Sequence, residues 1–381
     1  MKISFVNPPH ADWSLANNMT YLFCQSHYQR HGKYPENVEW LPAPYKWDKY
    51  TSYEEAYEEI RDADVIMFSS YVWNYPIIDE LAKMARKDNK ITILGGPHVG
   101  THEPDFLLKR SQYNYICQPT KPGEVFMQDL IDNMIEGGYD PKDIAWEMRS
   151  TVGRAHDISK EEYSVYEDHI DYLTEIRQYA QDNSLEEFVV IETTRGCPYK
   201  CVFCEWGGGI GTKVYKKDID MVKRDIDALI KAGYKSAYLT DANFGMYFER
   251  DLEIFRYAWT NGFNLTDIST MKSKKYERRQ ALIDAWFDIV GQTDLKSDSI
   301  VPTVSIQSIS EEAMKIAKRV DLSLDDKLKL SRHINKRCRE ENLPVPALEL
   351  ILAMPGSTID DFYKEMEIIW NFQAWGSYRH D

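Results

Sequence analysis

Short apolar runs alternate with helical patterns along most of this 381-residue chain. In the first 140 residues the apolar runs predict strands, and loops rich in glycine or proline follow them. Because continuous apolar strands separated by helices are typical of a parallel sheet covered on both faces, residues 1–140 predict a doubly wound, Rossmann-like α/β domain. Residues 21–57 are predicted to be a loop-rich, aromatic insert in that domain. The predicted strand segments are 3–9, 64–74, 91–100 and the beginning of 115–134, and the first of the helices that follow them is marked by Ile78, Leu81, Ala82 and Ala85.

A second strand–helix series begins at residue 187. Such a series is typical of a β/α barrel, and we predict a partial (β/α)6 barrel over residues 187–381, with a sixth strand expected beyond its last helix. Residues 141–186, which are rich in charges and tyrosines, are predicted to be a partly helical linker. The predicted strands are 188–193, 235–241, 263–270, 299–308 and 347–354, and the predicted helices are 217–232, 248–260, 277–290, 311–341 in two pieces, and 359–374.

The composition excludes several classes of protein. The chain has 46 Lys and Arg against 61 Asp and Glu, a net charge of −15, which is a poor match for a nucleic-acid backbone. No apolar run approaches the roughly 18 residues that a membrane span needs, and the N-terminal residues lack the pattern of a signal peptide. We therefore expect a cytoplasmic protein in a reducing compartment, where a disulfide framework is not the default use of cysteines.

Three of the six cysteines, Cys197, Cys201 and Cys204, lie within eight residues directly after the predicted strand 188–193. Thiolates are soft ligands that suit an iron–sulfur cluster or zinc. A four-iron cluster normally takes four cysteines, so three thiolates would leave one iron open to bind a cofactor or a substrate. A structural zinc site and ordinary packing are the alternatives. However, no second Cys-x2-Cys or His pair accompanies the segment, as zinc knuckles would require.

This Cys-x3-Cys-x2-Cys segment resembles the one that follows the first barrel strand in the radical S-adenosylmethionine (radical SAM) superfamily. Three further segments resemble motifs of that family in the same order: YLTDANFG at 238–245, VSIQSISEEAMKIAKR at 304–319 and ELILAMPGST at 349–358. The resemblance covers residues 188–381. It implies a 4Fe-4S cluster on the three cysteines and S-adenosylmethionine (SAM) on the open iron. It further implies reductive cleavage of SAM to a 5′-deoxyadenosyl radical, which takes a hydrogen atom from a substrate.

The same resemblance implies which residues contact SAM. Phe203 would lie near the adenine, and Arg319 would pair with the methionine carboxylate, to which its fork of donors is suited. Asp241, Asn243 and Gln307 are candidates for contacts to the ribose or the amino group. A structural interpretation stays open for these residues, since Asp and Asn also end strands in turns.

The loops of the first domain resemble the cobalamin-binding domain that precedes many radical SAM cores. One motif of methionine-synthase-like domains is absent, because none of the nine histidines has an Asp two residues before it to form Asp-x-His-x2-Gly. A degenerate domain that binds no cobalamin is therefore an open alternative. The positions that match the family's cobalamin contacts are Asn7, Gly95, Gly96, His98, Gly123 and Glu124.

Together these resemblances imply a cobalamin-dependent methyltransferase that acts on an unactivated carbon of a small molecule or natural-product precursor. The expected partners are that substrate and an electron donor such as flavodoxin or ferredoxin, with no nucleic acid and no membrane. One alternative is a cobalamin-independent or rearranging radical SAM enzyme. Another is a non-catalytic iron–sulfur electron carrier, although a carrier has no use for the motifs at Gln307, Arg319 and Pro355.

Overall fold

The computed structural model contains two compact units, which are described separately. The first unit comprises Met1–Asp157, Tyr163–Val189 and Lys231–Gly233, and the second comprises Ile158–Glu162, Val190–Ile230 and Tyr234–Asp381. Among the described residues, no helix is both long and apolar enough to cross a membrane. The structure describes residues 1–9, 18–99, 110–117, 123–137, 157–204, 213–266, 275–291, 301–302, 304–320, 322–346 and 348–376.

A five-stranded parallel sheet organises the first unit. Its strand order is β2-β1-β3-β4-β5, which is one of the two common orders of doubly wound sheets. In such sheets ligands bind beyond the carboxyl ends of the strands, where the order reverses between β1 and β3. The prediction of a doubly wound domain is therefore confirmed. The strands are β1 (Lys2–Val6), β2 (Glu39–Trp40), β3 (Val65–Ser69), β4 (Ile91–Gly95) and β5 (Tyr115–Ile116).

Helices cover this sheet, and the α3 helix shows why the sequence pattern predicted them. Its buried residues are the four that the apolar spacing marked, Ile78, Leu81, Ala82 and Ala85, and they pack against strand residues such as Phe68. The helices of the first unit are α1 (Met19–His31), α2 (Tyr53–Glu58), α3 (Tyr75–Lys87), α4 (Gly123–Gly137), α5 (Val165–Asp168) and α6 (Ile170–Asp182). Of the predicted linker, residues 141–156 lie outside the described part, and α5 and α6 belong to the first unit.

The prediction of a loop-rich insert at residues 21–57 was wrong for residues 21–31, which form most of helix α1. This helix buries Tyr21, Leu22, Cys24 and Tyr28, and the hydroxyl of Tyr28 donates a hydrogen bond to Asp132 of α4 at 2.9 Å. Because α1 buries side chains, several of them polar, around most of its circumference, its sequence lacks the apolar stripe by which a helix is recognised.

The second unit contains parts of a parallel barrel. Strands β6 (Val190–Ile191), β9 (Ser236–Leu239) and β10 (Asn264–Thr266) form one parallel sheet, and β11 (Ser305–Gln307) pairs in parallel with β12 (Glu349–Leu350). A short antiparallel pair, β7 (Thr194–Arg195) with β8 (Tyr215–Lys216), was not predicted. The helices are α7 (Ile219–Lys231), α8 (Phe248–Thr260), α9 (Tyr276–Val290), α10 (Glu311–Ile316), α11 (Leu324–Glu341) and α12 (Ile359–Gly376).

The five predicted strands of this unit are present in the predicted order, and the prediction of a partial barrel is confirmed. Within the described residues each strand is shorter than predicted; residues 267–270, 299–300, 303 and 347 lie outside the described part. The helical pattern at 311–341 divides into α10 and α11 as expected. Ser323 begins α11, since its hydroxyl accepts a hydrogen bond from the backbone N–H of Asp326 at 3.1 Å.

Candidate metal and cofactor sites

The three clustered cysteines lie on a turn directly after β7. Cys197 and Cys201 are buried, Cys204 is half-buried, and all three are free thiols. The backbone N–H of Cys204 donates to the carbonyl of Cys201 at 3.1 Å, which closes the turn. The N–H of Val202 donates to the carbonyl of Ala317 at 3.0 Å, which ties the turn to the residues that follow α10. Two backbone hydrogen bonds thus hold the three sulfur-bearing residues on one short, anchored loop.

Gly196 directly precedes Cys197 and begins the cysteine turn in a left-handed backbone conformation. Its φ is +98°, and a Cβ at this position would overlap the carbonyl oxygen of Lys213, which immediately precedes the β8 region. Only glycine adopts this φ without strain, and only glycine lacks the Cβ that would overlap the carbonyl oxygen. The close approach of the two chain segments therefore requires glycine here.

Asp241 anchors the residues before the cysteine loop. One carboxylate oxygen accepts hydrogen bonds from the backbone N–H groups of Thr193 and Thr194, at 2.7 and 3.1 Å. The other oxygen accepts from both threonine hydroxyls at 2.6 Å. Burial raises the pKa of Asp241 to about 6, although the four hydrogen bonds act in the opposite direction. With its oxygens engaged in this way, Asp241 positions the β6–β7 segment, and we do not assign it a contact with SAM.

Arg250 and Asp251 form a second clamp on the same segments. The Arg250 guanidinium donates to the carbonyls of Thr193 at 3.0 Å and Lys217 at 2.8 Å, and to the Asp251 carboxylate at 2.7 Å. The other oxygen of Asp251 accepts from the backbone N–H of Gly245 at 2.8 Å. Sequence reasoning missed both residues, because Arg250 is separated from Thr193 by 57 positions and no local pattern marks the contact.

Asn243 is the predicted SAM residue that reaches a clustered cysteine. Its amide Nδ2 donates to Cys197 Sγ at 3.2 Å, and both residues are buried. Its Oδ1 is also buried and has no hydrogen-bond partner in the described part of the chain. A buried amide oxygen without a partner is costly, so this atom marks a position where a ligand donor fits.

The remaining predicted SAM residues lie on three different segments. Phe203 is inside the cysteine turn, and 37% of its surface is exposed. Arg319 is half-buried and follows Ala317, whose carbonyl binds the cysteine turn. Gln307 ends β11 with a φ of +69°, and its carbonyl accepts from the N–H of Ile351. The structure thus ties Asn243 and the Arg319 segment to the cysteine turn, whereas the hydrogen bond of Gln307 described here joins it to the end of β12.

The thiols of Cys197, Cys201 and Cys204 could bind a single zinc ion or an iron–sulfur cluster. In the described ranges, no three His, Cys, Asp or Glu side chains converge on the position of a single metal ion, as a structural zinc site would require. In a cubane cluster each cysteine binds a different iron, so its ligands do not converge on one point. Three soft thiols on one anchored turn, with an N–H directed at one sulfur, fit the protein ligands of a 4Fe-4S cluster.

In the first unit, Asn74 joins the carboxyl ends of two strands. Its Nδ2 donates to Asn7 Oδ1 at 3.3 Å and to the carbonyls of Pro8 at 3.0 Å and Ser69 at 3.1 Å. Its Oδ1 accepts from the N–H of Tyr71 at 2.8 Å. Asn74 begins helix α3 and was missed in the sequence, where an Asn in that position looks like an ordinary helix start. The predicted residue Asn7 is thereby held beside the end of β3.

The loop after β4 lies against the same edge. Gly96 has a φ of +96°, and a Cβ there would be 2.5 Å from the backbone of Ser70, so this position requires glycine. The N–H of His98 donates to the carbonyl of Ser70 at 3.0 Å, and its ring centre is 4.7 Å from that of Tyr75. Asn7, Gly95, Gly96 and His98 are therefore on adjoining loops at one edge of the sheet.

Unlike Gly96, Gly95 and Gly123 have room for a Cβ. A Cβ at Gly95 would be 3.5 Å from Cys117 Cβ, and one at Gly123 would be 4.0 Å from Cys24 Sγ, which are ordinary contacts. Among the described residues, the packing of the chain leaves room for a Cβ at either position, so glycine there leaves extra space beside the backbone. These positions fit a corrin. Gly123 and the buried Glu124 begin α4, and the preceding residues 118–122 lie outside the described part.

The sequence profile of the Radical SAM superfamily matches residues 191–369. TokK of Streptomyces tokunonensis, a cobalamin-dependent radical SAM methyltransferase, is 25% identical over 343 residues, which are 86% of this chain and 48% of TokK. The 2-(S-pantetheinyl)-carbapenam-3-carboxylate methyltransferase of Streptantibioticus cattleyicolor is 25% identical over 310 residues, 78% of this chain and 43% of that protein. The chain therefore spans less than half the length of either curated relative.

A solved structure shows the same fold. The radical SAM methyltransferase TsrM from Kitasatospora setae, with cobalamin and a 4Fe-4S cluster bound, superposes with a TM-score of 0.68 at 15% identity, over 98% of this chain and 73% of TsrM. The resemblance inferred from the motifs is confirmed. Residues 191–369 match the Radical SAM superfamily, and the chain as a whole is similar in sequence to a cobalamin-dependent radical SAM methyltransferase and in fold to TsrM.

Proposed function

We propose that this chain is a cobalamin-dependent radical SAM methyltransferase that acts on an unactivated carbon of a small molecule or natural-product precursor. The observation that carries the proposal is the anchored turn of Cys197, Cys201 and Cys204, with the Asn243 amide directed at one of its sulfurs. The similarity to TokK and to the carbapenam enzyme, which are both methyltransferases, supports methyl transfer. TsrM, which contains both cobalamin and a cluster, supports the pairing of the two domains.

The chain's own residues would bind and orient three groups. The three cysteines would hold a 4Fe-4S cluster, and the unpartnered Oδ1 of Asn243 would accept a hydrogen bond from the SAM ammonium. The exposed ring of Phe203 would lie against the adenine, and Arg319 would pair with the methionine carboxylate, with Gln307 a further candidate contact. When bound, these cofactors supply an electron for SAM cleavage and a carrier for the methyl group. An electron donor such as flavodoxin or ferredoxin would deliver that electron.

In the first unit, the loops after β1, β4 and β5 would hold the corrin and its nucleotide tail. Asn7, Gly95, Gly96 and His98 would line one side, and the start of α4 with Gly123 and Glu124 would line another. The role of Gly96 is to bring the His98 loop onto Ser70, while Gly95 and Gly123 keep space free for the ligand.

Release of 5′-deoxyadenosine tests the radical SAM part of the proposal. Protein reconstituted with iron and sulfide under anaerobic conditions should release 5′-deoxyadenosine when dithionite and SAM are added, as chromatography of the quenched reaction would show. The control is the same protein without reductant, which should release none. An iron-loaded protein that reduces normally and releases no 5′-deoxyadenosine would support the electron-carrier alternative instead.

The cobalamin site is tested by the substitution Gly95→Ala. A methyl group fits the protein at this position but would occupy space that we assign to the corrin, so we expect affinity for hydroxocobalamin to fall about tenfold, which is about 1.4 kcal/mol. Titration followed by the corrin absorption band measures this. The matched control is Gly137→Ala at the end of α4, where a Cβ has no neighbour within 4 Å. Equal affinity in both variants, or no binding by the wild type, would contradict the assignment.

A further inference from the structure

We propose that Asn243 sets the reduction potential of the cluster through its hydrogen bond to Cys197. The inference rests on the proposed function only in that the three cysteines hold a 4Fe-4S cluster. It concerns the donor side of the amide, Nδ2, which lies 3.2 Å from the sulfur. The acceptor side of the same amide is the part that we assign to SAM.

The hydrogen bond is expected to be strong because both of its partners are withdrawn from water. Cys197 is 1% exposed and Asn243 is 3% exposed. A hydrogen bond in a poorly polarisable interior is electrostatically stronger than one in water. A cysteine bound to iron is a thiolate, which only accepts hydrogen bonds, so the amide must present Nδ2 rather than Oδ1 to it.

Residues on both sides of Asn243 are held by hydrogen bonds, which restrict the segment that carries its amide. Two residues before it, Asp241 is held by four hydrogen bonds from Thr193 and Thr194. Two residues after it, the N–H of Gly245 donates to the buried carboxylate of Asp251 at 2.8 Å. Asn243 therefore has little freedom to withdraw when the charge on the sulfur changes.

Reduction of the cluster adds one electron, and part of the added negative charge resides on the thiolate sulfurs. An N–H donor stabilises the more negative state, so it raises the reduction potential; hydrogen bonds to sulfur are among the established determinants of cluster potentials. Loss of the donor should make the cluster harder to reduce. The electron itself comes from an added chemical reductant in the experiment below.

The substitution Asn243→Leu removes the donor and retains the size of the side chain. We expect the equilibrium constant for one-electron reduction to fall about tenfold, which corresponds to about 59 mV. An anaerobic redox titration with dithionite, followed by electron paramagnetic resonance and without SAM, measures the midpoint. The matched control is Asn335→Leu, which removes another buried asparagine of the second unit, on α11 and outside the cysteine turn.

Asn243→Ala provides a second variant. It also removes the donor, so its midpoint should lie below that of the wild-type protein as well. Midpoints of both variants equal to that of Asn335→Leu would overturn the inference. So would failure of both to take up iron while Asn335→Leu is loaded normally, since Asn243 would then serve assembly. A wild-type protein without a four-iron cluster would instead refute the proposed function.

Discussion

Cys201→Ala should reduce the iron content of the reconstituted protein from about four atoms per chain to almost none. Cys201 is the central cysteine of the turn and is 4% exposed, so water cannot easily replace its sulfur as a ligand. With two of three protein ligands left, the cluster has too few anchors to persist, and release of 5′-deoxyadenosine should be lost with it. Iron and sulfide analysis, together with the visible absorption of the cluster, measures the effect.

Cys338→Ala is the matched control for this prediction. Cys338 is buried in α11, outside the cysteine turn, and burial raises the pKa of its thiol to about 12, so it is a packing residue rather than a thiolate ligand. This variant should keep its full iron content. Iron retained by Cys201→Ala, or zinc in place of iron in the wild-type protein, would contradict the cluster assignment.

Asp241→Ala should destabilise the second unit by about 3–5 kcal/mol. The substitution leaves the backbone N–H groups of Thr193 and Thr194 without their acceptor, and each buried donor left unsatisfied costs about 1–3 kcal/mol. The two threonine hydroxyls also lose their acceptor, but a hydroxyl can rotate toward another one. Because only Arg195 separates these threonines from Gly196 and Cys197, the variant should also bind less iron. Urea denaturation at pH 7 and iron analysis are the two measurements.

Asp241→Asn separates the hydrogen bonds of Asp241 from its charge. The amide oxygen can accept from both backbone N–H groups, and the amide N–H groups can donate to the two threonine hydroxyls, which are acceptors as well as donors. We therefore expect this variant to be at least as stable as the wild type at pH 7. If it were as unstable as Asp241→Ala, the negative charge itself would be required.

The raised pKa of Asp241 also predicts a pH dependence. Burial raises this pKa from 3.8 to about 6 in the folded protein, so the folded state binds the proton more tightly than the unfolded chain. This contribution to stability is greatest below pH 4, declines as the pH rises to 6, and is constant above that. The advantage of Asp241→Asn over the wild type should grow between pH 4 and pH 7 by on the order of 3 kcal/mol.

The candidate sites show which features of a site a residue pattern can predict. The spacing of Cys197, Cys201 and Cys204 marked the turn to which we propose that the cluster binds, and the motif at 238–245 brought attention to Asn243. The same motif assigned Asp241 to SAM, whereas the structure directs its carboxylate into the protein. A motif names chemically active side chains, but the direction in which each one points depends on neighbours that are distant in sequence.

Sequence alone determined the order of most strands and helices, because most elements carry their own apolar period and are bounded by turn residues; α3 and its four buried positions are the clearest case. Tertiary structure alone decided which segments meet. Helix α1 lacks the separate polar and apolar faces from which a helix is predicted. The contact between Arg250 and Thr193 joins residues that are 57 positions apart. Those contacts depend on burial and on hydrogen bonds between remote segments, and neither leaves a periodic trace in the chain.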